Sequence, residues 1–402
     1  MTKKENKTHP KNTPMNILIF SPYYTPHIGG LECYSDEFSK HITTKENHVV
    51  VFTSRIPHST PEKEEVDHIK IFRFPAFEII SNYPLPKIWL PSFWRIFFEV
   101  SENHFDIIIS QTRFFFTSFI ALLYAKHKKI PLVHVEHGSD FVKLSSPLTN
   151  FLAKMYDLVI GRIIFRYSDI NISISQAVQG FIQKFDNRES PIIYRGLNFH
   201  EIDIINKDDT LQKKYGDKII LATAARLYKW KGIENTIKAI ELLPTEMRKK
   251  IIFLIIGDGE DFKKLKKLSK NLPIEMFGSI PRESVLRTFK SVDIYIHSSL
   301  PGGGLSTSLL EAMYCKCAII ATPNEGASEV IQNKKNGILI EQSLPEKIRG
   351  AIISMIENNN IESLQEEAHR SVKNSFSWDK SIQKYKEVFQ RFDTKSLIKT
   401  KE

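Results

Sequence analysis

The chain has 402 residues, which is enough for two domains of common size. Hydrophobic residues make up 42% of it and charged residues 25%, as in soluble globular proteins with a sizeable core. The net charge of +10 favours an anionic partner, such as a phosphorylated ligand or an anionic membrane surface. We expect no nucleic acid as partner, because no recognised nucleic-acid-binding motif follows.

Cysteine content and hydropathy exclude two further classes of protein. Three cysteines (Cys33, Cys315 and Cys317) are too few for a disulfide framework, which favours a reducing cytoplasm. Residues 1–14 are polar and lysine-rich, unlike a signal peptide, and we expect a disordered tail. No apolar run reaches the ~18–20 residues of a spanning helix. We therefore expect a cytoplasmic protein, with peripheral attachment to the cytoplasmic membrane face as a further hypothesis.

Short runs rich in isoleucine and valine alternate with helical patterns along the chain. The runs are apolar on both faces, which predicts parallel strands covered by helices in βαβ units. One set occupies residues 16–20, 49–53, 106–110, 131–135 and 169–174. After a polar segment, a second set occupies residues 218–224, 251–256, 274–277, 293–297 and 318–322.

This repetition predicts an α/β chain of two Rossmann-like, doubly wound parallel-sheet domains that face a cleft. We place the N-terminal domain at residues 15–199, a linker at 200–216 and the C-terminal domain at 217–376. A helix at residues 377–393 and a tail at 394–402 complete the chain. Trp378, Tyr385 and Phe389 fall on one face of that last helix, which is therefore amphipathic.

Two segments that follow strands of the second set are candidate anion sites. Residues 225–232 (ARLYKWKG) open a helix and carry Arg226 and Lys231, which suits a diphosphate, although a solvated basic turn is the alternative. Residues 298–317 contain Gly302, Gly303 and Gly304, which permit close approach of a ligand to the backbone. Glu311 lies in the next helix, where its carboxylate can accept ribose hydroxyls; an exposed helix glutamate is the alternative.

Other segments give weaker signals. Gly29 and Gly30 follow the first strand and are placed to open a helix close to a phosphate, but they lack the GxGxxG spacing, as do residues 257–260 (GDGE). Residues 134–140 (HVEHGSD) end a strand without HExxH spacing or an accompanying CxxC, so we predict no metal site. His137, beside Gly138, better suits a polar contact to a sugar or acceptor.

In order and spacing, these segments resemble the retaining GT-B glycosyltransferases of family four, from residue 15 to about residue 392. By this resemblance, Arg226 and Lys231 match the cations of the diphosphate motif, and residues 303–311 match the E-x7-E region. Residues 195–198 (RGLN) resemble the N-G-V-D junction, and residues 277–279 resemble a stretch whose backbone contacts the nucleobase. The last helix resembles one that crosses back onto the N-terminal domain.

The resemblance implies transfer of a sugar, of hexose type, from a nucleotide-diphosphate donor to a hydroxyl acceptor with retention of configuration. It implies neither cofactor nor metal, an acceptor that is a saccharide or lipid-linked, and a place in polysaccharide or glycolipid biosynthesis. The C-terminal domain would bind the nucleotide sugar, and the N-terminal domain would hold the acceptor. The implied catalytic residues are His137, Arg226 and Lys231. The implied substrate-binding residues are Gly29, Gly30, Gly138, Asn198, Phe277, Gly278, Gly303, Gly304, Leu305 and Glu311.

One position departs from the family pattern, because Gly303 stands where relatives carry the first glutamate of E-x7-E. That carboxylate contacts the donor sugar in relatives, so its loss bears on sugar selectivity. Two alternatives stay open: a catalytically silent relative that binds nucleotide sugar as a partner subunit, and a nucleotide-sugar epimerase of the same architecture. An epimerase needs acid and base carboxylates in the cleft, and we find no convincing pair.

Two segments of the N-terminal half interleave cations with large apolar residues. They are residues 85–100 (LPKIWLPSFWRIFFEV) and residues 151–167 (FLAKMYDLVIGRIIFRY). Such a composition is typical of interfacial membrane segments, in which rings enter the headgroup boundary and cations meet anionic lipid. The alternative is that both segments cover the sheet and the cations extend to solvent.

Overall fold

A computed structural model describes residues 14–27, 29–43, 47–80, 83–142, 147–301, 305–324, 326–358 and 360–399. The chain divides into two compact units by its internal contacts. Unit 1 comprises residues 1–136, 144–171 and 387–402, and unit 2 comprises residues 137–143 and 172–386. In the part of the chain described, no helix combines the length and hydropathy needed to cross a membrane.

Unit 1 is an α/β layer structure. Its strands are β1 (Asn16–Phe20), β2 (His48–Ser54), β3 (Lys63–Val66), β4 (Ile69–Phe74), β5 (Ala76–Ile80), β6 (Tyr83–Pro86), β7 (Ile107–Gln111), β8 (Leu132–Glu136) and β9 (Ile170–Ser173), within which the unit boundary falls. Its helices are α1 (Gly30–Ile42), α2 (Pro91–Ser101), α3 (Phe116–Lys128), α4 (Pro147–Tyr156) and α5 (Arg162–Tyr167), with a π-helical turn (Asp157–Gly161) joining α4 to α5.

The main sheet of unit 1 has the strand order β3-β4-β2-β1-β7-β8-β9. Strands β4, β2, β1, β7 and β8 run parallel, and β3 pairs antiparallel with β4 at the edge. The central residues of β1 and β7 are buried on both sides of the sheet, as expected where helices cover both faces. Strands β5 and β6 form a separate antiparallel hairpin.

Unit 2 repeats the architecture. Its strands are β10 (Ile219–Ala224), β11 (Ile251–Ile256), β12 (Ile274–Gly278), β13 (Ile294–His297), β14 (Ala318–Ala321) and β15 (Ile338–Leu339). Its helices are α6 (Gln176–Ile182), α7 (Phe199–Asp203), α8 (Asp209–Tyr215), α9 (Ile233–Glu241), α10 (Thr245–Lys249), α11 (Phe262–Leu268), α12 (Arg282–Phe289), α13 (Thr307–Tyr314), α14 (Ala327–Val330), α15 (Pro345–Glu357), α16 (Ile361–Ser375) and the first part of α17 (Trp378–Lys399).

The sheet of unit 2 is parallel throughout, with the order β12-β11-β10-β13-β14-β15. Strands β11 and β12 follow in order on one side of β10, and β13, β14 and β15 follow in order on its other side. Alternate residues of β10 enter two separate hydrophobic clusters, with Ile220 and Ala222 in one and Leu221 in the other. The reversal between β10 and β13 leaves a crevice at their carboxyl ends, the usual ligand position in such sheets.

All ten strands predicted from sequence are present, within one or two residues at their ends. The predicted linker at residues 200–216 contains most of α7 and all of α8. The three aromatics predicted to share one face of the last helix are all buried. Strands β3 to β6 and β15 were not predicted, because they are short or carry charged residues at exposed positions.

Candidate functional site

The turn after β10 carries the two predicted phosphate-binding cations. Arg226 is exposed, and the chain then forms a 3-10 turn (Lys229–Lys231) that leads into α9. The Lys231 ammonium lies 4.2 Å from the centre of the Trp230 ring, a cation–π contact. Gly232 joins the turn to α9 with φ at +68°, in the left-handed region that glycine adopts without strain.

This turn is held against the loop that follows β13, directly across the crevice. The Leu300 amide donates to the Trp230 carbonyl at 2.7 Å, and the Ser298 hydroxyl donates to the Lys231 carbonyl at 3.2 Å. A Cβ added to Gly232 would lie 2.0 Å from the Ser298 carbonyl oxygen, so only glycine permits this approach. The turn after β10 and the loop after β13 are therefore joined by hydrogen bonds, and these bonds fix the backbone that carries the cations.

On the other side of β10, the loop after β11 supports the same turn. The Leu227 amide donates to the Asp258 carbonyl and the Asp261 amide donates to the Leu227 carbonyl, both at 2.9 Å. Gly257 has φ at +126°, and a Cβ there would lie 1.9 Å from the Ala225 carbonyl oxygen. The GDGE segment, an incomplete nucleotide fingerprint in the sequence, is a packing element of the site.

The same loop fixes the end of β12, where Phe277 and Gly278 lie. The Gly257 amide donates to the Gly278 carbonyl at 2.8 Å, and Gly278 has φ at +68°. Phe277 packs partly buried against the core of unit 2. The structure therefore brings residues 277 and 278 to the same edge of the sheet as Arg226 and Lys231.

The glycine-rich segment is only partly described, since Gly302, Gly303 and Gly304 lie outside the described residues. Leu305 packs partly buried against the core of unit 2, and Ser306 caps α13 by accepting the Leu309 amide at 3.4 Å. The buried Tyr295 hydroxyl contacts the Ala224 carbonyl at 3.2 Å and the Ser308 hydroxyl at 3.1 Å. These contacts join the first turn of α13 to the end of β10.

Glu311 is buried within α13, so the alternative of an exposed helix glutamate is wrong. Its partner is Arg282 at the start of α12, whose Nε and Nη2 both lie 2.9 Å from Oε1 of Glu311. Arg282 Nη1 donates to Glu201 at 2.5 Å. Through these contacts to Oε1, Arg282 orients the Glu311 carboxylate. No local sequence pattern predicts this pairing, because the two residues are 29 positions apart.

The junction at residues 195–198 is tightly packed within unit 2. Asn198 caps α7 by accepting the Glu201 amide at 3.2 Å, and Arg195 Nη1 donates to the Thr307 hydroxyl at 2.9 Å. A Cβ at Gly196 would lie 2.3 Å from the Trp378 nitrogen. These contacts give the junction a structural role; the substrate contact predicted for Asn198 stays a prediction.

In unit 1, Gly29 and Gly30 lie at the start of α1, as predicted. Glu32 in the first turn is buried, and its Oε1 lies 2.6 Å from Nδ1 of His27. A Cβ added to Gly29 would lie 2.2 Å from Oε2 of Glu32. The His27 ring stacks on Tyr23 at 4.1 Å. The Glu32 carboxylate therefore lies at this helix start, and the phosphate contact predicted for Gly29 and Gly30 stays a prediction.

The predicted histidine segment is divided between the two units. His137 and Gly138 belong to unit 2, where Phe141 of the same loop packs on Phe181 with ring centres 5.4 Å apart. His134 and Glu136 belong to unit 1. Among the residues described, no cluster of three or more histidine, cysteine or acidic side chains is placed to hold a metal ion.

Glu136 is part of a buried charge cluster in unit 1 that sequence reasoning missed. Arg113 contacts Glu136 and Asp157 at 3.0 Å each, and His134 Nε2 lies 3.3 Å from Glu136. Burial raises the pKa of Glu136, but the Arg113 guanidinium and His134 outweigh it and hold the value at about 2. Burial raises the pKa of Asp157 to about 6 against the opposing charge of Arg113.

Comparisons with known proteins show the family of the chain. Residues 28–201 match the model of glycosyltransferase family 4, and residues 205–378 match that of glycosyl transferases group 1. An uncharacterized glycosyltransferase of Methanocaldococcus jannaschii is 45% identical over 94% of this chain and 98% of its own length.

Two more distant proteins extend the comparison. The phosphatidylinositol N-acetylglucosaminyltransferase GPI3 subunit of Saccharomyces cerevisiae is 21% identical over 96% of this chain and 85% of its own length. The Anabaena protein HepE, solved in complex with UDP, superposes with a TM-score of 0.72 at 18% identity, covering 94% of this chain and 100% of HepE. With its two α/β units built on parallel sheets, the chain belongs to the group 1 glycosyltransferases of GT-B fold.

Proposed function

We propose that unit 2 binds a nucleotide-diphosphate sugar at the crevice between β10 and β13, and that the protein transfers the sugar to a hydroxyl acceptor with retention of configuration. The observation that carries this proposal is the turn of Arg226 and Lys231, which leads into α9. Ser298 and Leu300 hold its backbone in place by hydrogen bonds. Two cations on a rigid backbone at a helix start suit a diphosphate. UDP bound to HepE, a protein of the same fold, supports a nucleotide as ligand.

In the proposed reaction, the bond between the anomeric carbon and the diphosphate oxygen breaks, and the leaving diphosphate takes both electrons. Arg226 and Lys231 stabilise the negative charge that develops on it, and no reorganisation is needed because their backbone is already fixed. Glu311 accepts ribose hydroxyls, and the backbone at residues 277–278 contacts the nucleobase. The acceptor oxygen forms a bond to the anomeric carbon on the face that the diphosphate leaves, which retains the configuration, and the departing phosphate takes the proton of the acceptor hydroxyl. His137 supplies a polar contact on the acceptor side.

We propose that the acceptor is a saccharide or a lipid-linked saccharide. The transferred sugar is of hexose type, and the product is a polysaccharide or a glycolipid. The name of the yeast relative, which includes phosphatidylinositol, supports a lipid-linked acceptor. The net charge of +10 supports work at an anionic membrane surface from the cytoplasmic side.

A thermal-shift screen of nucleotide sugars tests the donor site directly, since a ligand at 100 times its Kd adds about 2.7 kcal/mol of stability. We expect one nucleoside diphosphate and its sugar to raise the melting temperature, and donor hydrolysis to accelerate when an acceptor is added. A protein that no nucleotide sugar stabilises would refute the donor site. Binding without turnover on any acceptor would instead indicate the silent partner subunit.

A further inference from the structure

The helical run from Pro147 to Tyr167 presents an apolar surface to solvent. Of the two segments singled out by sequence, residues 85–100 place Phe93 and Ile96 in the core of unit 1 and leave Trp89 and Phe98 exposed. The exposed cation of that segment, Arg95, is paired with Glu62. The run at residues 147–167 differs, because most of its large apolar side chains are exposed. Six of them are Leu148, Phe151, Leu152, Met155, Leu158 and Val159, each more than 40% exposed. We call these six side chains the apolar surface of unit 1.

The charges on this run have one sign at the surface. Lys154, Arg162 and Arg166 are exposed, whereas the single acidic residue of the run, Asp157, is buried against Arg113. That ion pair of 3.0 Å fixes the π-helical turn, and with it the apolar surface, to the sheet of unit 1. The surface is therefore a fixed feature of unit 1, apolar and cationic together.

We propose that this surface docks unit 1 on an anionic membrane, with the side chains of Phe151 and Leu152 in the headgroup boundary and Lys154, Arg162 and Arg166 against lipid phosphates. Apolar side chains interleaved with cations are the composition of helices that lie in the membrane interface. A second copy of the chain fits less well, because a two-fold interface would bring the same three cations together. The proposal rests on the proposed function in one respect only, that the acceptor is lipid-linked.

Flotation of the full chain with vesicles tests the docking. We expect it to float with vesicles of phosphatidylcholine and phosphatidylglycerol at low salt and to be released at high salt, as screening predicts. Each cation near an anionic surface changes partitioning about fivefold, so replacing Lys154, Arg162 and Arg166 by glutamine should lower it about a hundredfold. The double variant Phe151→Ser, Leu152→Ser should also stay in the soluble fraction.

Matched variants keep the test specific to this surface. The first control replaces three exposed lysines of unit 2 by glutamine and so removes the same charge; they are Lys249, Lys266 and Lys267. The second control, Leu242→Ser with Leu344→Ser, removes two exposed apolar side chains of unit 2. Both controls should float like the unaltered chain. All changed side chains are exposed, and unchanged circular dichroism and melting temperature show that each variant is folded.

The docking proposal is overturned if the unaltered chain stays soluble with anionic vesicles at low salt, or if the surface variants float as well as the controls. It is also overturned if the chain is a dimer in solution that the Phe151 and Leu152 variant dissociates, since the surface then serves a second copy. Nucleoside diphosphate binding, measured on the same samples, separates the two proposals. An unaltered chain that binds nucleoside diphosphate but does not float with anionic vesicles refutes only the docking.

Discussion

Arg226 and Lys231 owe their proposed role to the backbone that carries them. Both lie on a turn that the loops after β11 and β13 hold in place through main-chain hydrogen bonds. A cation on a fixed backbone loses little freedom when a phosphate binds, so more of its electrostatic attraction remains as binding energy. The Trp230 ring under Lys231 restricts that side chain further.

We predict that Arg226→Ala and Lys231→Ala each weaken nucleoside diphosphate binding tenfold or more. A charge-assisted hydrogen bond contributes roughly 1.5–3 kcal/mol, and tenfold in affinity corresponds to about 1.4 kcal/mol. Isothermal titration with the diphosphate found in the donor screen measures the effect. Lys238→Ala is the matched control, because Lys238 is an exposed cation on the adjoining α9 that pairs with Glu234. Unchanged affinity in both site variants would remove the phosphate assignment.

Glu311 and Arg282 give a second prediction at this scale, which concerns the ribose. Since Arg282 contacts the Glu311 carboxylate at Oε1, the variant Glu311→Gln should both loosen that pair and present an amide donor where ribose hydroxyls need an acceptor. We expect the variant to lose affinity for the ribonucleotide and to discriminate less against its deoxyribose analogue. If the ratio of the two affinities stays the same as in the unaltered chain, Glu311 does not contact the ribose.

The sequence predicted those strands and turns whose composition is determined by consecutive residues. Strands such as β1 and β11 are continuous apolar runs, and their burial on both faces requires that composition. The sheet-edge strand β3 carries the sequence KEEV, whose side chains are largely exposed and give no strand signal. The turn at residues 225–232 was predictable because its cations and glycine are consecutive. The Arg282–Glu311 pair and the Arg113 cluster were not, because only the fold brings those residues together.

The Arg113 cluster stabilises the junction of β7, β8 and the π-helical turn, and it gives a prediction for unit 1. Arg113→Ala leaves Glu136 and Asp157 buried without their cation, which costs about 3–5 kcal/mol for a broken buried pair. Urea unfolding at pH 7 followed by circular dichroism should show the loss. Arg95→Ala is the control, since Arg95 forms an exposed pair with Glu62 and exposed pairs contribute about 0–1 kcal/mol.

The dependence of this loss on pH follows from the sign of each shift. The lowered pKa of Glu136, about 2, stabilises the folded unit above the usual pKa of the side chain, and that stability is lost as pH falls towards 2. The pKa of Asp157, which burial raises to about 6, makes the unaltered unit lose stability as pH rises through 6. In Arg113→Ala the opposing charge is absent, so burial raises both carboxyl pKa values further and the loss of stability with rising pH is larger. The difference between variant and unaltered chain should therefore be smaller at pH 5 than at pH 7. An equal loss at both pH values would contradict this account.

For the whole molecule, the arrangement of charge bears on how the leaving group is stabilised. The chain carries a net charge of +10, and three of its cations, Arg226, Lys229 and Lys231, lie on the turn at residues 225–232 of unit 2. A diphosphate that leaves with its negative charge needs a counter-charge, which either a divalent metal or protein cations can supply. Our proposal assigns that task to Arg226, Lys231 and the start of α9.

We therefore predict that sugar transfer, or donor hydrolysis when no acceptor has been found, proceeds unchanged after treatment with a chelator of divalent metals. The same assay on Arg226→Ala provides the internal comparison. If protein cations alone stabilise the leaving diphosphate, that variant should be slow with or without added magnesium or manganese. Activity of the unaltered chain that is abolished by the chelator and restored by either metal would show that the metal supplies the counter-charge. Arg226 and Lys231 would then orient the diphosphate rather than stabilise its departure.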